Sequence, residues 1–370
     1  MIMKKRLVTA ISSICFAAGS LFGGAAQAAD DRVVNVYNWS DYIDESVLAE
    51  FTKETGIKVN YDVFDTNELL ETKLLTGASG YDVVVPSANF MSRQIKAGAF
   101  MPLDKSKLPN LKNVWDVIAE RTEKYDPENK HSFNYMWGTT GIGYAEEKVK
   151  ERLKDMPLDT WDLIFKPEVV AKLADCGIHW LDAPIELIPA ALHYLGLDEN
   201  DFSKENLAKA EALIAKVRPH IQKFHSSEYI GALANGDICV AVGYSGDVLQ
   251  ARDRAVEAKN GNTVAFTIPK EGAQMWFDQM AITSDSKNVD EAYAFMDFIL
   301  RPDVAAKASN YISFANGNLA SQKLLNKSVL EDKAVYPDTE TLNGLYVVLA
   351  PEPKQQRLLN RSWTRIKSGQ

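Results

Sequence analysis

The chain has 370 residues, of which 46% are hydrophobic and 25% charged, and its 41 Lys and Arg against 50 Asp and Glu give a net charge of −9. This length supplies enough apolar material for two or three domains, so the composition excludes an intrinsically disordered chain and a small disulfide-scaffold protein. The acidic balance argues against nucleic-acid binding, because a phosphate-binding face normally requires an excess of basic residues.

Residues 1–28 are typical of a secretory signal peptide. A basic start at 4–6 precedes a mostly apolar run over 7–22, and a small-x-small cleavage sequence ends at Ala28. We expect cleavage after Ala28 and export to an oxidising compartment; a retained membrane anchor is the alternative. The segment holds three basic and no acidic residues, so its removal changes the net charge from −9 to −12.

The remaining chain alternates predicted strands and helices. Extended segments at 33–37, 58–64 and 81–86 are separated by segments in which apolar residues recur at helical spacing, and the same order returns from 177 onward. This alternation predicts an α/β fold with a mainly parallel sheet. The last hundred residues are predicted to be mostly helical, with a second helix beginning at Pro302.

Three glycines follow a predicted strand at 133–137, in the sequence GTTGIG at 138–143. A tight turn with close strand packing and a hinge between two lobes both agree with them. Neither a dinucleotide-binding fingerprint nor a Walker A loop occurs, so no cofactor is expected.

Cys176 and Cys239 are the two cysteines that remain after cleavage. In an oxidising compartment an even pair favours a disulfide, and these two can pair only with each other.

No pattern singles out an enzyme. The five histidines show no metal-ligand spacing, and the sequence GYSG at 243–246 lacks the last glycine of a nucleophile elbow because Asp247 occupies that position. A glycosidase-like pair of carboxylates stays open, since a chain with 50 acids contains many such pairs.

Acidic residues beside aromatic ones recur at the predicted carboxyl ends of strands. They occur in the sequences WSDY at 39–42, YSGD at 244–247 and WFD at 276–278. Open α/β sheets bind ligands outside these strand ends, and acids combined with aromatic rings favour an organic cation. The alternative is structural, with Trp39 in the core and both Asp41 and Asp247 capping the helices that follow them.

Long segments resemble the periplasmic polyamine-binding proteins of bacterial ABC importers, along almost the whole mature chain. They include YNWSDYI (37–43), ETGIKVNYDVFDTNE (54–68), YDVVVPSANF (81–90), YMWGTTGIGY (135–144), CGIHWLDAP (176–184), LANGDICVAVGYSGD (233–247), IPKEGAQMWFD (268–278) and SWTRIKSG (362–369). The resemblance implies a two-lobed periplasmic-binding-protein fold of type II, with crossing hinge segments and the ligand in the cleft between lobes. It predicts an N-terminal lobe of 29–137 plus 252–301 and a C-terminal lobe of 138–251 plus 302–370.

The resemblance also implies a binding site without catalysis, cofactor or metal. Its ligand-binding residues would be Trp39, Ser40, Asp41, Ser87, Glu186, Tyr244, Asp247, Trp276, Asp278 and Phe314. The implied partners are a polyamine and an inner-membrane ABC permease, and we expect a periplasmic monomer. A polyamine sensor subunit and an exported polyamine-modifying enzyme are the alternatives.

Trp276 bears most on the choice of ligand. In the family that the chain resembles, putrescine-type members carry Phe at this position and spermidine-preferring members carry Trp, whereas Ser40, Asp41 and Ala183 resemble the putrescine type. Phe314 stands where Tyr is common, so one hydroxyl is missing. We expect spermidine to be favoured over putrescine.

Overall fold

A mixed β-sheet runs through the whole described chain. The computed structural model describes residues 32–40 and 42–369, so the predicted signal peptide and Asp41 lie outside the described residues. The strands are β1 (Val33–Trp39), β2 (Lys58–Phe64), β3 (Val83–Val84), β4 (Ser132–Ala145), β5 (Ile178–Trp180), β6 (Lys223–Phe224), β7 (Val240–Tyr244), β8 (Val264–Thr267), β9 (Gln274–Ile282) and β10 (Ala315–Asn316).

The strand order is β2-β1-β3-β9-β4-β7-β5-β6, and both β8 and β10 pair with β4. Parallel pairs lie at the two ends, where β1 contacts β2 and β3, and β5 contacts β6 and β7. Each pairing of β4 or β9 with another of these strands is antiparallel. The prediction of a mainly parallel sheet is therefore wrong, because β4 and β9 pair in antiparallel fashion and join two parallel halves.

The described residues also form sixteen α-helices, some of which connect the parallel strands, as such connections require. They are α1 (Glu45–Thr55), α2 (Asn67–Leu75), α3 (Ala88–Lys96), α4 (Asp116–Thr122), α5 (Glu146–Leu153), α6 (Asp162–Phe165), α7 (Pro167–Leu173), α8 (Pro184–Tyr194), α9 (Lys204–Val217), α10 (Glu228–Asn235), α11 (Ser245–Ala258), α12 (Val289–Ile299), α13 (Pro302–Ile312), α14 (Lys327–Leu330), α15 (Thr339–Gly344) and α16 (Pro353–Ser368). Over residues 32–40 and 42–369, no helix combines the length and apolar character needed to cross a bilayer.

One half of the sheet is buried on both faces. Successive residues of β3 and its flank alternate between two clusters: Val83 and Val85 pack in one, and Val84 in the other. Side chains of a strand point to opposite faces in turn, so this alternation shows that apolar residues cover both sides, as in parallel sheets. We call these two clusters together the N-terminal core.

A separate cluster, here called the central core, surrounds β5 and β7. It contains Trp180 and Val242 from these strands and also Trp363 from α16. Val264 of β8 packs in this central core, whereas Val304 of α13 packs in the N-terminal core. The chain therefore passes between the two cores several times.

β4 is the longest crossing segment. Its residues 132–140 pair with β9, and its residues 140–144 pair with β7. The glycine-containing segment at 138–143 lies within this strand and does not form a turn. A Cβ atom at Gly138 would lie 2.5 Å from Cζ2 of Trp276, so glycine here permits the close packing that was one of the two interpretations.

The predicted disulfide between Cys176 and Cys239 is confirmed. The two Cα atoms lie 5.5 Å apart, and the bond links the residues that precede the neighbouring strands β5 and β7. It therefore ties together the amino ends of two parallel strands.

Replacing both Cys176 and Cys239 by serine is expected to lower the free energy of unfolding by about 4 kcal/mol, because the bond closes a loop with a sequence separation of 63 residues. Urea denaturation of the oxidised protein and the double variant measures this change. An equal stability of the two proteins would contradict it. Ligand affinity should stay the same, because the bond lies at the strand ends opposite to the acids described below.

Candidate ligand-binding site

Asp278 of β9 is a buried carboxylate held by two hydroxyl groups. It is 5% exposed. Ser87 Oγ donates to its Oδ1 at 2.6 Å, and Tyr42 donates from its phenol oxygen to Oδ2 at 2.9 Å. Ser87 occupies the N-cap position of α3 but makes no side-chain cap bond there, so its hydroxyl serves Asp278 instead.

Glu186 is a second buried carboxylate, 6% exposed, in the first turn of α8. Thr140 Oγ1 of β4 donates to Oε2 at 2.6 Å, and Gln274 Nε2 of β9 donates to Oε1 at 3.2 Å. Both crossing strands thus contribute a donor to this acid.

Asp247 is half-buried and lies in the first turn of α11. Its Oδ2 accepts a hydrogen bond of 2.8 Å from the hydroxyl of Tyr229. The N-cap residue of α11 is Tyr244, so Asp247 does not cap this helix, contrary to the structural alternative. The positive end of the helix dipole still favours a negative charge at this position, as it does for Glu186 on α8.

Within the part of the chain that the structure describes, the three acids have no basic partner. Over residues 32–40 and 42–369, no Lys or Arg nitrogen lies within 4.0 Å of Glu186, Asp247 or Asp278. Burying carboxylates without a compensating charge is costly. The site therefore favours the arrival of a cation from outside.

Burial raises the pKa of each of these acids. The pKa of Glu186 rises to about 7, because burial outweighs the Thr140 hydrogen bond and the charge of Asp278 adds to it. The pKa values of Asp247 and Asp278 rise to about 6, again because burial outweighs their hydroxyl donors. Each ionised form would be stabilised by an ammonium group at hydrogen-bonding distance.

Tyr244 shows that the three acids share one neighbourhood. Burial raises the pKa of its phenol well above the ordinary value, and the charges of Glu186, Asp247 and Asp278 all add to that rise. Its side chain packs against both the N-terminal core and the central core. The acids therefore cluster where the two cores meet.

Aromatic rings form the apolar wall of this cluster. The ring of Trp276 lies 5.8 Å from that of Tyr244 and 5.3 Å from that of Phe314, measured between centroids. Phe314 in turn lies 5.6 Å from Tyr42, the donor to Asp278. All three contacts are edge-to-face, as aromatic pairs prefer, and such rings offer apolar surface for methylene groups and cation-π attraction for cations.

Seven of the ten predicted site residues lie in this network. They are Ser87, Glu186, Tyr244, Asp247, Trp276, Asp278 and Phe314. Ser40 is exposed and donates to Asp65 at 2.9 Å, and Trp39 packs on Phe64 with 4.5 Å between ring centroids. Asp41 lies outside the described residues.

Four residues of the network were not among the predicted ligand-binding residues: Tyr42, Thr140, Tyr229 and Gln274. Tyr42 belongs to the sequence WSDY at 39–42, whose acid beside aromatic residues could have indicated it as a site residue. The other three act on an acid remote in sequence, so nothing in their local pattern indicates the contact.

The architecture is that of a class of ligand-binding proteins. Two cores are joined by crossing strands, and acids from α8, α11 and β9 cluster with aromatic rings where the cores meet, which is the arrangement of a two-lobed ligand-binding fold. Residues 46–337 match the family described as bacterial extracellular solute-binding protein, and the chain belongs to this family.

Two curated relatives and one solved structure are similar over nearly the whole chain. The chain is 52% identical over 353 residues to the putrescine-binding periplasmic protein SpuD of Pseudomonas aeruginosa, covering 95% of this chain and 96% of that protein. It is 51% identical over 344 residues to the putrescine-binding periplasmic protein PotF of Escherichia coli, covering 92% and 93%. The crystal structure of a spermidine/putrescine ABC transporter substrate-binding protein from Streptococcus pneumoniae aligns with a TM-score of 0.79 and 31% identity, covering 91% and 99%. The predicted two-lobed fold is thereby confirmed.

Proposed function

We propose that the chain captures a polyamine between its lobes and delivers it to an inner-membrane ABC permease, with spermidine favoured over putrescine. The observation that carries the proposal is the cluster of buried Glu186, half-buried Asp247 and buried Asp278, which have no basic partner among the described residues. A polyamine supplies several ammonium groups on a slender apolar chain. The two relatives, which are named putrescine-binding periplasmic proteins, support this ligand class.

The site combines the two interactions that such a ligand requires. The acids accept charge-assisted hydrogen bonds at the ammonium groups, and the rings of Tyr244, Trp276 and Phe314 cover the methylenes between them. Micromolar to nanomolar affinity corresponds to about −8 to −12 kcal/mol. A few such bonds together with methylene burial are sufficient for this free energy.

The number of acids favours spermidine. Spermidine carries three ammonium groups and putrescine two, so a triamine can neutralise Glu186, Asp247 and Asp278 together. The indole of Trp276 also offers a larger face than a phenyl ring would. Putrescine is the second candidate, because both relatives are named for it.

In a thermal-shift panel of putrescine, cadaverine, spermidine and spermine at equal concentrations, spermidine is expected to raise Tm most. A ligand at about a hundredfold excess over its Kd stabilises the native state by about 2.7 kcal/mol, which such a panel resolves. A Tm rise with putrescine that equals or exceeds the rise with spermidine would contradict the preference but leave polyamine capture intact.

The matched control for this ranking is Trp276→Phe, which keeps an aromatic ring between Tyr244 and Phe314 but reduces its face. We expect it to narrow the difference between spermidine and putrescine. An unchanged difference would show that the indole does not set the preference.

Transport requires export, lobe closure and a permease. The proposed signal peptide sends the protein to the periplasm, and the crossing strands β4 and β9 would let the lobes close around the ligand by a hinge motion. A sensor subunit would bind the same ligand without supporting uptake, so radiolabelled polyamine uptake in a deletion strain separates the two. An exported polyamine-modifying enzyme would convert the bound amine, which mass spectrometry of the incubated ligand detects.

We infer that the lobe boundaries follow the packing of each segment. Val264 packs in the central core, and Val304 and Ile312 pack in the N-terminal core. This packing supports assigning the segment from β7 to β8 to the C-terminal lobe and α13 to the N-terminal lobe, unlike the boundaries expected from the sequence. Limited proteolysis followed by mass mapping of the fragments tests the assignment.

A further inference from the structure

Tyr229 of α10 is buried with 0% exposure, and its hydroxyl makes two hydrogen bonds. It donates to Oδ2 of Asp247 at 2.8 Å and accepts from the backbone N–H of Tyr244 at 3.1 Å. One hydroxyl thus connects the carboxylate on α11 with the last residue of β7.

We propose that Tyr229 is a positioning residue of the binding site, which fixes the carboxylate of Asp247 for the ammonium group of the ligand. The inference rests on the proposed function. Tyr229 acts through Asp247, and the structure gives it no place among the ring contacts of Tyr244, Trp276 and Phe314.

A tyrosine suits this position because the contact requires a donor and an acceptor on one rigid group. The carboxylate can only accept, and the Tyr244 N–H can only donate, so the phenol oxygen satisfies both. Phenylalanine would leave the N–H of Tyr244 without its acceptor and would free one oxygen of Asp247 to rotate.

Close packing fixes the ring as well as the hydroxyl. A Cβ atom at Gly243 would lie 2.5 Å from Cε2 of Tyr229, so the ring rests directly on the glycine backbone of β7. A methyl group at Gly243 would displace the ring without altering its chemistry. This gives a second, independent way to disturb the same contact.

Several groups influence the ionisation of Asp247. Burial raises its pKa, whereas the hydrogen bond from Tyr229 and the positive charge of Arg254 lower it. The charge of Asp247 in turn raises the pKa of the buried phenols that face it. The titratable or charged groups around Asp247 are therefore Tyr229 on α10, Tyr244 at the end of β7, Tyr42 after β1 and Arg254 on α11. Of these groups, Tyr229 donates the hydrogen bond of 2.8 Å to the carboxylate.

The test is calorimetric titration of Tyr229→Phe with spermidine from about pH 5.5 to 8.5. We expect Kd to rise about tenfold at pH 7.5, and the loss of affinity on acidification to begin about one pH unit higher than in the unaltered protein. The shifted pH profile is the specific readout, since a general loss of structure would weaken binding equally at every pH.

Tyr293→Phe is the matched control. Tyr293 is also buried, and its hydroxyl accepts a backbone N–H, that of Asp104, at 2.7 Å, but among the described residues no hydrogen bond joins it to an acid of the site. Its Kd should stay within about twofold of the original value. Circular dichroism and Tm establish that each variant is folded.

Gly243→Ala keeps the experiment decisive if Tyr229→Phe does not fold, and it should show the same upward shift of the pH profile. The positioning role would be overturned if the Kd of either folded variant stays within about twofold of that of the unaltered protein. It would also be overturned if the variant loses affinity equally at every pH. If the unaltered protein binds spermidine and the variants bind it with the same affinity, this inference alone is overturned. Absence of polyamine binding by the unaltered protein would overturn the proposed function and this inference with it.

Discussion

Asp278→Asn is expected to weaken spermidine binding at least about thirtyfold and to raise the free energy of unfolding of the ligand-free protein. The first effect follows because removing one partner of a buried, hydrogen-bonded charge pair costs about 2–5 kcal/mol. The second follows because burial raises the pKa of Asp278 to about 6, so its ionised form opposes folding at about pH 7.5. Calorimetric titration and urea denaturation measure the two effects.

The size of the stabilisation follows from linkage. Asp278 has an unfolded pKa near 4 and a higher folded pKa, so the native state binds the proton more tightly and its stability falls as the pH rises from about 4 to 7. Asparagine removes this penalty, which we place at about 1–3 kcal/mol after the weaker hydrogen bonds from Ser87 and Tyr42 are subtracted. The gain in the free energy of unfolding should vanish near pH 4.

Asp82→Asn is the matched control, because Asp82 is as buried as Asp278 but satisfied differently. Burial opposes its ionisation, but hydrogen bonds from Asn288, Asn35 and Ser286 outweigh it and lower its pKa. This variant should lose stability and keep its affinity for spermidine. Unchanged affinity in Asp278→Asn, or a loss of stability there as in the control, would contradict the role of Asp278.

The affinity for spermidine is expected to fall on the order of 10²-fold between about pH 7.5 and 5.5. The pKa values of Glu186, Asp247 and Asp278 lie at about 7, 6 and 6, so the acids take up protons in this range. A bound ammonium group favours their ionised forms, and binding must therefore release protons. Above about pH 8 the acids are already ionised and affinity should be nearly constant.

Calorimetry in two buffers with different ionisation enthalpies measures the released protons directly. Glu186→Gln removes the acid with the highest pKa, so its affinity should begin to fall at a lower pH than that of the unaltered protein. An affinity that does not change between pH 7.5 and 5.5, with no proton release, would contradict the account of the buried acids.

Local patterns in the sequence predict single elements well. The strand at 58–64 has its observed bounds, and the helix predicted to begin at Pro302 does so. The apolar run at 81–86 is less informative, because only Val83 and Val84 form the observed strand. A buried apolar run shows that a segment is covered on both faces but does not show where its strand pairing ends.

The direction of β4 and β9 could not be predicted in the same way. Alternating strands and helices favour parallel pairing, but β4 pairs with β9 and β7 through contacts between residues 96 to 149 positions apart. The glycines at 138–143 indicated close packing or a hinge without deciding between them. Their partners, such as Trp276, are distant in sequence.

The sequence pattern of acids beside aromatic residues indicated part of the site but not the contacts across the fold. The predicted strand end at 276–278 is wrong, because Asp278 lies within β9. Asp247 and Asp278 stand beside aromatic residues in the chain, which marks them as candidates. Tyr229 lies 18 residues before Asp247, and Thr140 lies 46 residues before Glu186, so their hydrogen bonds exist only in the folded protein.

Calorimetric titration of spermidine into protein that has been unfolded, dialysed and refolded is the most direct test of polyamine capture. We expect saturable binding of one spermidine per chain with a Kd of about 1 μM or lower. Absence of saturable binding up to about 1 mM spermidine, in protein whose folding is confirmed by circular dichroism, would contradict the account.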